Sequence, residues 1–431
     1  MPYASMKPEG YIRRIADRLV EDALSEFGGV EICGARWSGK SWTALAFGES
    51  LTRVDEMAAI VEDDPAIALR GEQPHVIDEW QDVPAVWNAA RHRIDDNANA
   101  PGQFIFTGSS MPLEGRRGAR ARHSGAGRVA RVKMSTMTLA ETGESNASVS
   151  LSGLFDGRFE PRDSDVGLEE IARIICRGGW PAIQRRPETD SARVVSSYLS
   201  ALFDVSMPKA GKSPLLARRM AGALARNVGT AAKLSTLAED SAQGDDAPAA
   251  STVSSYLDEF ARNYFVDELP GWDAPVRAKS RLRTKPKRYL ADPSLAAGLL
   301  GMNADRLISD SQVFGLLFES LCVHDLAVYA STLPGANPGS MRYYSDADGL
   351  EVDVVIELAD GRWAGIEVKT GEEKVPAAIR SLNRLKAKVA ANPAARNPEP
   401  AFSAVLLGRC AAARHIADSD VYVFPVTGLG E

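Results

Sequence analysis

Residues 34–41 read Gly34, Ala35, Arg36, Trp37, Ser38, Gly39, Lys40 and Ser41, an octet of the form G-x-x-x-x-G-K-[ST]. No other stretch restricts the fold so tightly. The pattern works only between a strand and a helix, and both flanks agree. The apolar run Val30-Glu31-Ile32-Cys33 precedes it, and Trp42-Thr43-Ala44-Leu45-Ala46 follows with helical character. The glycines let successive backbone N–H groups turn toward phosphate oxygens. The helix N-terminus adds its partial positive charge. Lys40 is placed to reach the β- and γ-phosphates of ATP, Ser41 to hold Mg²⁺, and Trp42 opens the helix.

At 431 residues the chain exceeds one ordinary core. At about 150 residues per domain it predicts two or three. Hydrophobic residues are 45% and charged residues 25%, a globular composition. Net charge is −7, which argues against a protein coated in basic charge. The reading finds no apolar run long enough for a bilayer and no signal-peptide core at the start, so it expects a cytoplasmic protein with no membrane partner. Cys33, Cys176, Cys322 and Cys410 lack metal or disulfide spacing and read as buried thiols. The five histidines are scattered without ligand spacing.

Along the chain, residues 11–27 carry apolar groups at helical spacing. Strand signals lie at 74–79 and 103–110, separated by helical stretches, which predicts a parallel α/β sheet. Residues 190–263 read as mostly helical, 265–269 as a strand, and 277–290 as extended. A helix over 314–330, strands at 342–345, 352–358 and 363–369, a helix over 376–390 and strands at 404–407 and 421–424 complete the reading. The boundaries fall near 1–140, 141–300 and 301–431.

A second element completes the nucleotide site. The run Val76-Ile77-Asp78-Glu79 is a strand ending in two acids. Asp78 is the candidate for the Mg²⁺ shell, and Glu79 for the general base acting on water. The strand Phe104-Ile105-Phe106 ends in Thr107 and Ser109, whose hydroxyls suit a γ-phosphate sensor.

These segments, with the Asp-Glu-x-Gln-x-x-Pro pattern at Asp78, Glu79, Gln81 and Pro84, resemble a group of prokaryotic AAA-type ATPases. That group carries a C-terminal domain of unknown function. The resemblance continues through Gly127-Arg128, through Arg177-Gly178-Gly179-Trp180-Pro181 and through residues 286–292, and so covers nearly the whole chain. Trp37 and Ser41 depart from it, since the group usually has a smaller residue and Thr there. It implies ATP and ADP as ligands and Arg128 as an arginine acting on the γ-phosphate, in cis or across an oligomer interface.

Two basic stretches stand out. Arg116, Arg117, Arg120, Arg122, Arg128, Arg131 and Lys133 run without an intervening acid and read as a loop. Arg277, Lys279, Arg281, Arg283, Lys285 and Lys287 occupy alternate positions, which on a strand puts all six on one face. They follow two helices expected at 232–239 and 252–264. The whole resembles a winged-helix domain whose basic wing suits a DNA backbone.

The last third holds Glu319 on a helix, Asp353 on a strand, and Glu367-Val368-Lys369 on the next strand. Strand alternation puts Glu367 and Lys369 on one side. Three carboxylates are hard oxygen ligands for Mg²⁺ or Mn²⁺. The order resembles the PD-(D/E)xK nuclease fold, in particular relatives of archaeal Holliday-junction resolvases. The resemblance implies Asp353, Glu367 and Glu319 as metal-site acids, Lys369 as the catalytic lysine, and branched or duplex DNA as substrate. The expectation is therefore an α/β protein of three parts: an AAA-type ATPase, a winged-helix middle and a nuclease-like end. The alternative is an interaction protein in which ATP binding is a switch and the last domain an inert docking surface, in a toxin–antitoxin, defence or signalling role.

Overall fold

The computed structural model describes residues 6–112, 125–162, 166–186, 189–244, 246–274, 284–337 and 339–431. The chain divides into two compact units. One comprises Met1–Thr136 with Trp180–Arg185 and Glu259–Phe265, and the other holds Met137–Gly179, Arg186–Asp258 and Val266–Glu431.

The first unit is built on a five-stranded parallel sheet: β1 (Gly29–Cys33), β2 (Ser50–Arg53), β3 (His75–Asp78), β4 (Phe104–Gly108) and β5 (Val129–Lys133), in the order β2-β3-β4-β1-β5. β1 and β4 are buried along their whole length and are mostly apolar, with Glu31 of β1 the charged exception. Alternation sends Ile77, Phe104 and Phe106 into one core with Trp80, Trp87 and the helix Ala85–Asp96. Val30, Ile32, Val76 and Ile105 enter the opposite core with Ala16, Val20 and Ala44. The chain leaves β1 into helix α2 (Lys40–Phe47) and returns at the far edge, so the loop after β1 lies where connections diverge, the usual place for a ligand in such sheets.

Helix α1 spans Ala16–Glu26 and starts later than its apolar spacing predicts. The Asp17 carboxylate accepts from Tyr11 Oη at 2.5 Å and from Arg14 N at 3.1 Å, which folds the preceding residues into a lead-in of irregular backbone. β2 and β5 were not foreseen. β2 is short and half-exposed, and β5 carries Arg131 and Lys133 from the stretch expected as a basic loop. Arg131 Nε donates to Glu31 Oε2 at 2.8 Å on the adjoining strand.

In the second unit, β6 (Val149–Ser150) pairs in parallel with the last strand, β15 (Leu429–Gly430). The helices Pro214–Arg226 and Leu234–Asp240, and Ala250–Arg262 up to Asp258, precede an antiparallel pair of β7 (Val266–Leu269) and β8 (Lys287–Leu290). Thr230 forms an antiparallel bridge to Arg288 of β8. A six-stranded mixed sheet follows: β9 (Met341–Ser345), β10 (Glu351–Glu357), β11 (Trp363–Lys369), β12 (Phe402–Leu407), β13 (Arg414–Ile416) and β14 (Val421–Pro425), in the order β13-β14-β12-β11-β10-β9. β9, β10 and β11 are antiparallel, and the chain then crosses through the helix Val375–Ala390 to bring β12 parallel to β11. That helix places Val375, Ala378, Leu382, Leu385 and Val389 in the core, a three-to-four residue repeat.

The helix Ser311–Ser331 is long and apolar enough to cross a membrane by length and composition alone, which corrects the reading of no such run. Most of it is buried inside the unit and it carries Glu319 and Asp325, the pattern of a core helix. Cys33 and Cys322 are buried and Cys176 and Cys410 half-buried, all as free thiols.

Candidate functional site

The phosphate loop leaves the end of β1 through Gly34, whose φ is +149°. A Cβ built there would lie 2.1 Å from the Met134 carbonyl oxygen, so the strand end is sealed against any larger residue. Gly34→Ala is expected to lower unfolding stability by about 2 kcal/mol or more, because the obstacle is backbone that cannot swing aside. Urea denaturation of the two proteins measures it. Gly39, with φ +104°, caps helix α2. Trp37 also has positive φ, 62°, and the residue is 44% exposed. Ser38 is wholly buried, Ala35 lines the same turn and Arg36 is half-buried.

Lys40 is buried, and its Nζ donates to the Ala35 carbonyl at 2.7 Å. Burial pushes its pKa down to about 8, against the opposing pull of Glu79. Ser41 Oγ donates to Asp78 Oδ1 at 3.1 Å, and Thr107 Oγ1 donates to the same oxygen. Ser109 Oγ donates to Glu79 Oε2 at 3.1 Å, with the Gln81 amide on the same oxygen. The two acids therefore have separate partners. Asp78 is gathered with Ser41 and Thr107, and Glu79 is held by Ser109 and Gln81. Glu79 itself sits in a left-handed conformation, φ 51°, which a non-glycine residue adopts against its preference. The hydroxyl and carboxylate oxygens of Ser41 and Asp78 converge and are the hard donors Mg²⁺ takes, so this donor set fits that ion.

Sequence reasoning missed three contributors. Arg14 is buried and donates to the Ser38 carbonyl at 2.7 Å and to the Ser135 carbonyl at 2.9 Å, bracing the loop from the lead-in before α1. Tyr11 Oη is 2.8 Å from Thr43 Oγ1 of α2. Arg185 stacks its guanidinium 4.0 Å over the ring of Trp42. Gln81 lies in the Asp-Glu-x-Gln pattern, the one local signal available for a second residue at the base.

Arg128 is a correction. β5 runs parallel to β1, with Val129 beside Gly29 and Lys133 beside Cys33. Arg128 therefore lies at the start of these strands, whereas the phosphate loop leaves their end. Four to five residues at about 3.3 Å each separate it from the loop by roughly 15 Å. Its Nε donates to Asp95 Oδ1 at 2.5 Å, so in cis it ties two elements and does not reach the γ-phosphate. Arg116, Arg117, Arg120 and Arg122 lie outside the described residues.

A second cluster lies wholly within the other unit. Val354 pairs with Ile366, and one step further the antiparallel register sets Asp353 opposite Glu367. A bulge in β10 between Val352 and Val355 shifts the ladder to β9 by one residue at this point. Two like charges opposed across a sheet repel, and Lys369 relieves them: its Nζ donates to Asp353 Oδ2 at 2.9 Å and to Glu367 Oε2 at 2.5 Å. Val368 N donates to Asp353 Oδ2 at 2.8 Å. Burial and the Asp353 charge push Glu367 up to about 8, while Lys369, Lys287 and the Val368 amide hold Asp353 below its usual range against its burial. Glu319, on the helix Ser311–Ser331, accepts from Tyr289 Oη at 2.7 Å and from Lys287 Nζ at 3.1 Å.

Lys287 is the second correction. Its side chain is 3% exposed, and Nζ also meets Glu351 Oε1 at 2.6 Å and Asp353 Oδ1 at 3.9 Å. It does not face outward as the basic wing requires. Lys285 is exposed, and Arg277, Lys279, Arg281 and Arg283 lie outside the described residues. Among the described residues no three acids, histidines or cysteines are arranged to hold a metal ion. The carboxylates here suit a divalent ion chemically, yet ammonium groups fill the space between them, so in this arrangement the cluster does not fit one.

Comparison with known proteins matches three stretches of the chain. Residues 28–143 match an AAA domain, 168–306 a domain of unknown function (DUF8612), and 314–421 a domain of unknown function (DUF4143). Uncharacterized proteins of Mycobacterium tuberculosis and Mycobacterium bovis are each 26% identical over 379 residues, 86% of this chain and 76% of theirs. Among solved structures, a Walker-type ATPase of Pyrococcus abyssi aligns over 70% of this chain and 99% of its own, at 13% identity and TM-score 0.41. AMPPCP-bound DnaA from Aquifex aeolicus aligns over 61% and 92%, at 14% identity and TM-score 0.25. The AAA match and the five-stranded parallel sheet identify the N-terminal part as a phosphate-loop ATPase fold of the AAA type.

Proposed function

We propose that this chain binds and hydrolyses ATP with Mg²⁺, and that nucleotide state governs a nuclease-like C-terminal domain acting on DNA. The observation that carries the ATP half is the separation of the two acids. Ser41 and Asp78 share one hydrogen bond and would hold Mg²⁺, the ion that would neutralise β- and γ-phosphate charge. Glu79, fixed by Ser109 and Gln81, is free of that cluster to take a proton from water. Among the described residues, the hydrogen bond that Lys40 gives up when phosphates arrive is to a backbone carbonyl, that of Ala35.

The C-terminal half rests on the pairing of Asp353 with Glu367 and Lys369, between a helix bearing Glu319 and a parallel crossover strand. That arrangement supports a PD-(D/E)xK-type reading. Three helices and a hairpin likewise support a winged-helix reading of the middle, with Lys285 as its described exposed cation. Closure of the carboxylates by lysines favours a second reading, a docking domain without chemistry.

Cleavage of plasmid, linear and branched DNA in Mg²⁺ or Mn²⁺, with and without ATP, separates the two. On the nuclease reading wild type cuts, and Asp353→Ala and Lys369→Ala lose at least a hundredfold in rate, the scale of a lost acid–base or electrostatic group. No cutting of any substrate leaves the docking reading.

A further inference from the structure

The acidic cluster carries a cation that the nuclease pattern does not require. Lys287 comes from β8, outside the sheet that bears the acids, and pairs with Leu269 across its hairpin. Its ammonium lies within 4 Å of three carboxylates from two elements: Glu319 on a helix, and Glu351 and Asp353 on β10. Tyr289, two residues on, donates to the same oxygen of Glu319, and the Tyr343 ring lies 5.4 Å from the ammonium. With these carboxylates gathered round it, the ammonium supplies the positive charge that offsets theirs.

An ammonium and a divalent ion compete for the same thing, several carboxylate oxygens aimed at one point. They cannot share it. Ammonium contacts here are 2.6 and 3.1 Å, whereas Mg²⁺ draws oxygens in to about 2.1 Å. We propose that Lys287 is a built-in counter-cation of the C-terminal carboxylate site, and that a divalent metal ion binds there only by displacing it. Only the reason for a metal to come rests on the nuclease reading; the competition follows from charge and geometry. Metal entry then requires the Lys287 ammonium to leave these carboxylates.

Mn²⁺ alone, titrated into nucleotide-free full-length protein and followed by the electron paramagnetic resonance of the free ion, tests this. Lys287→Gln is expected to bind Mn²⁺ at least tenfold more tightly than wild type. Lys287→Arg keeps the charge and should bind as weakly as wild type. The gain should vanish in Lys287→Gln/Asp353→Asn. An affinity for Lys287→Gln within twofold of wild type overturns the proposal, as does an equal gain in Lys287→Arg. If Lys287→Gln is unfolded without metal, Mn²⁺ should restore its melting transition but not that of the double variant; no restoration also overturns it. DNA cleavage is scored separately. Tighter Mn²⁺ binding without cutting removes the nuclease reading and leaves the counter-cation, while cutting by wild type with no gain in Lys287→Gln does the reverse.

Discussion

Lys40→Ala is expected to lose ATP affinity by about a hundredfold or more while its fold survives. Each charge-assisted hydrogen bond to phosphate contributes on the order of 1.5–3 kcal/mol. Lys40 is placed to make such bonds to two phosphates, so the lower end of that range already predicts a hundredfold. Stability should move little. In the free protein the ammonium donates to the Ala35 carbonyl alone among the described residues, and its burial already presses its pKa down to about 8. Removing a desolvated charge with one backbone partner relieves about as much as it loses. Calorimetric titration with ATP, beside a thermal melt of the same variant, separates the two effects. Wild-type affinity in the variant would falsify the phosphate-loop assignment.

Why this site could be read from sequence, and the other only in part, is a matter of distance along the chain. Lys40 and Ser41 belong to an octet whose backbone curl is set by its own glycines, and Asp78 and Glu79 announce themselves as acids ending an apolar strand. Local pattern suffices for these. Arg14 gives no such signal, because its partners, the Ser38 and Ser135 carbonyls, are backbone atoms that any sequence carries. The cis role of Arg128 was misjudged since proximity in sequence to a nucleotide-site strand says nothing about which end of that strand it reaches; the parallel register decides it.

Lys287 shows the limit most plainly. Alternation of six basic residues is a sound argument for a shared face, but it assumes that the face is solvated. Glu319, 32 residues away, and Glu351 and Asp353, further still, turn that position into an ion-paired interior. The pairing of Asp353 with Glu367 was legible because strand alternation and a short hairpin fix it. The compensating charge was not, since it arrives from a different hairpin. Buried charges are placed by their partners, and partners distant in sequence leave no local trace.

Glu79→Gln is expected to bind ATP with near wild-type affinity and to hydrolyse it roughly a hundred- to ten-thousandfold more slowly, the usual contribution of a positioned base. The amide keeps the size and the hydrogen-bonding reach of the carboxylate, so Ser109 can still donate to its oxygen. Gln81 then faces an amide, and one of the two must turn over to present its oxygen. That adjustment is small beside the loss of a proton acceptor. Asp78, with Ser41 and Thr107 as its partners, is untouched, so metal and phosphate binding persist. The opposite substitution separates the roles further. Asp78→Asn weakens the hold on Mg²⁺, and its deficit should shrink as Mg²⁺ is raised, whereas no concentration of Mg²⁺ replaces a missing base. Steady-state hydrolysis across a Mg²⁺ series, with nucleotide binding measured independently, reads both. Normal turnover by Glu79→Gln assigns the base elsewhere. A Mg²⁺-rescued Glu79→Gln beside an unrescued Asp78→Asn exchanges the roles of the two acids.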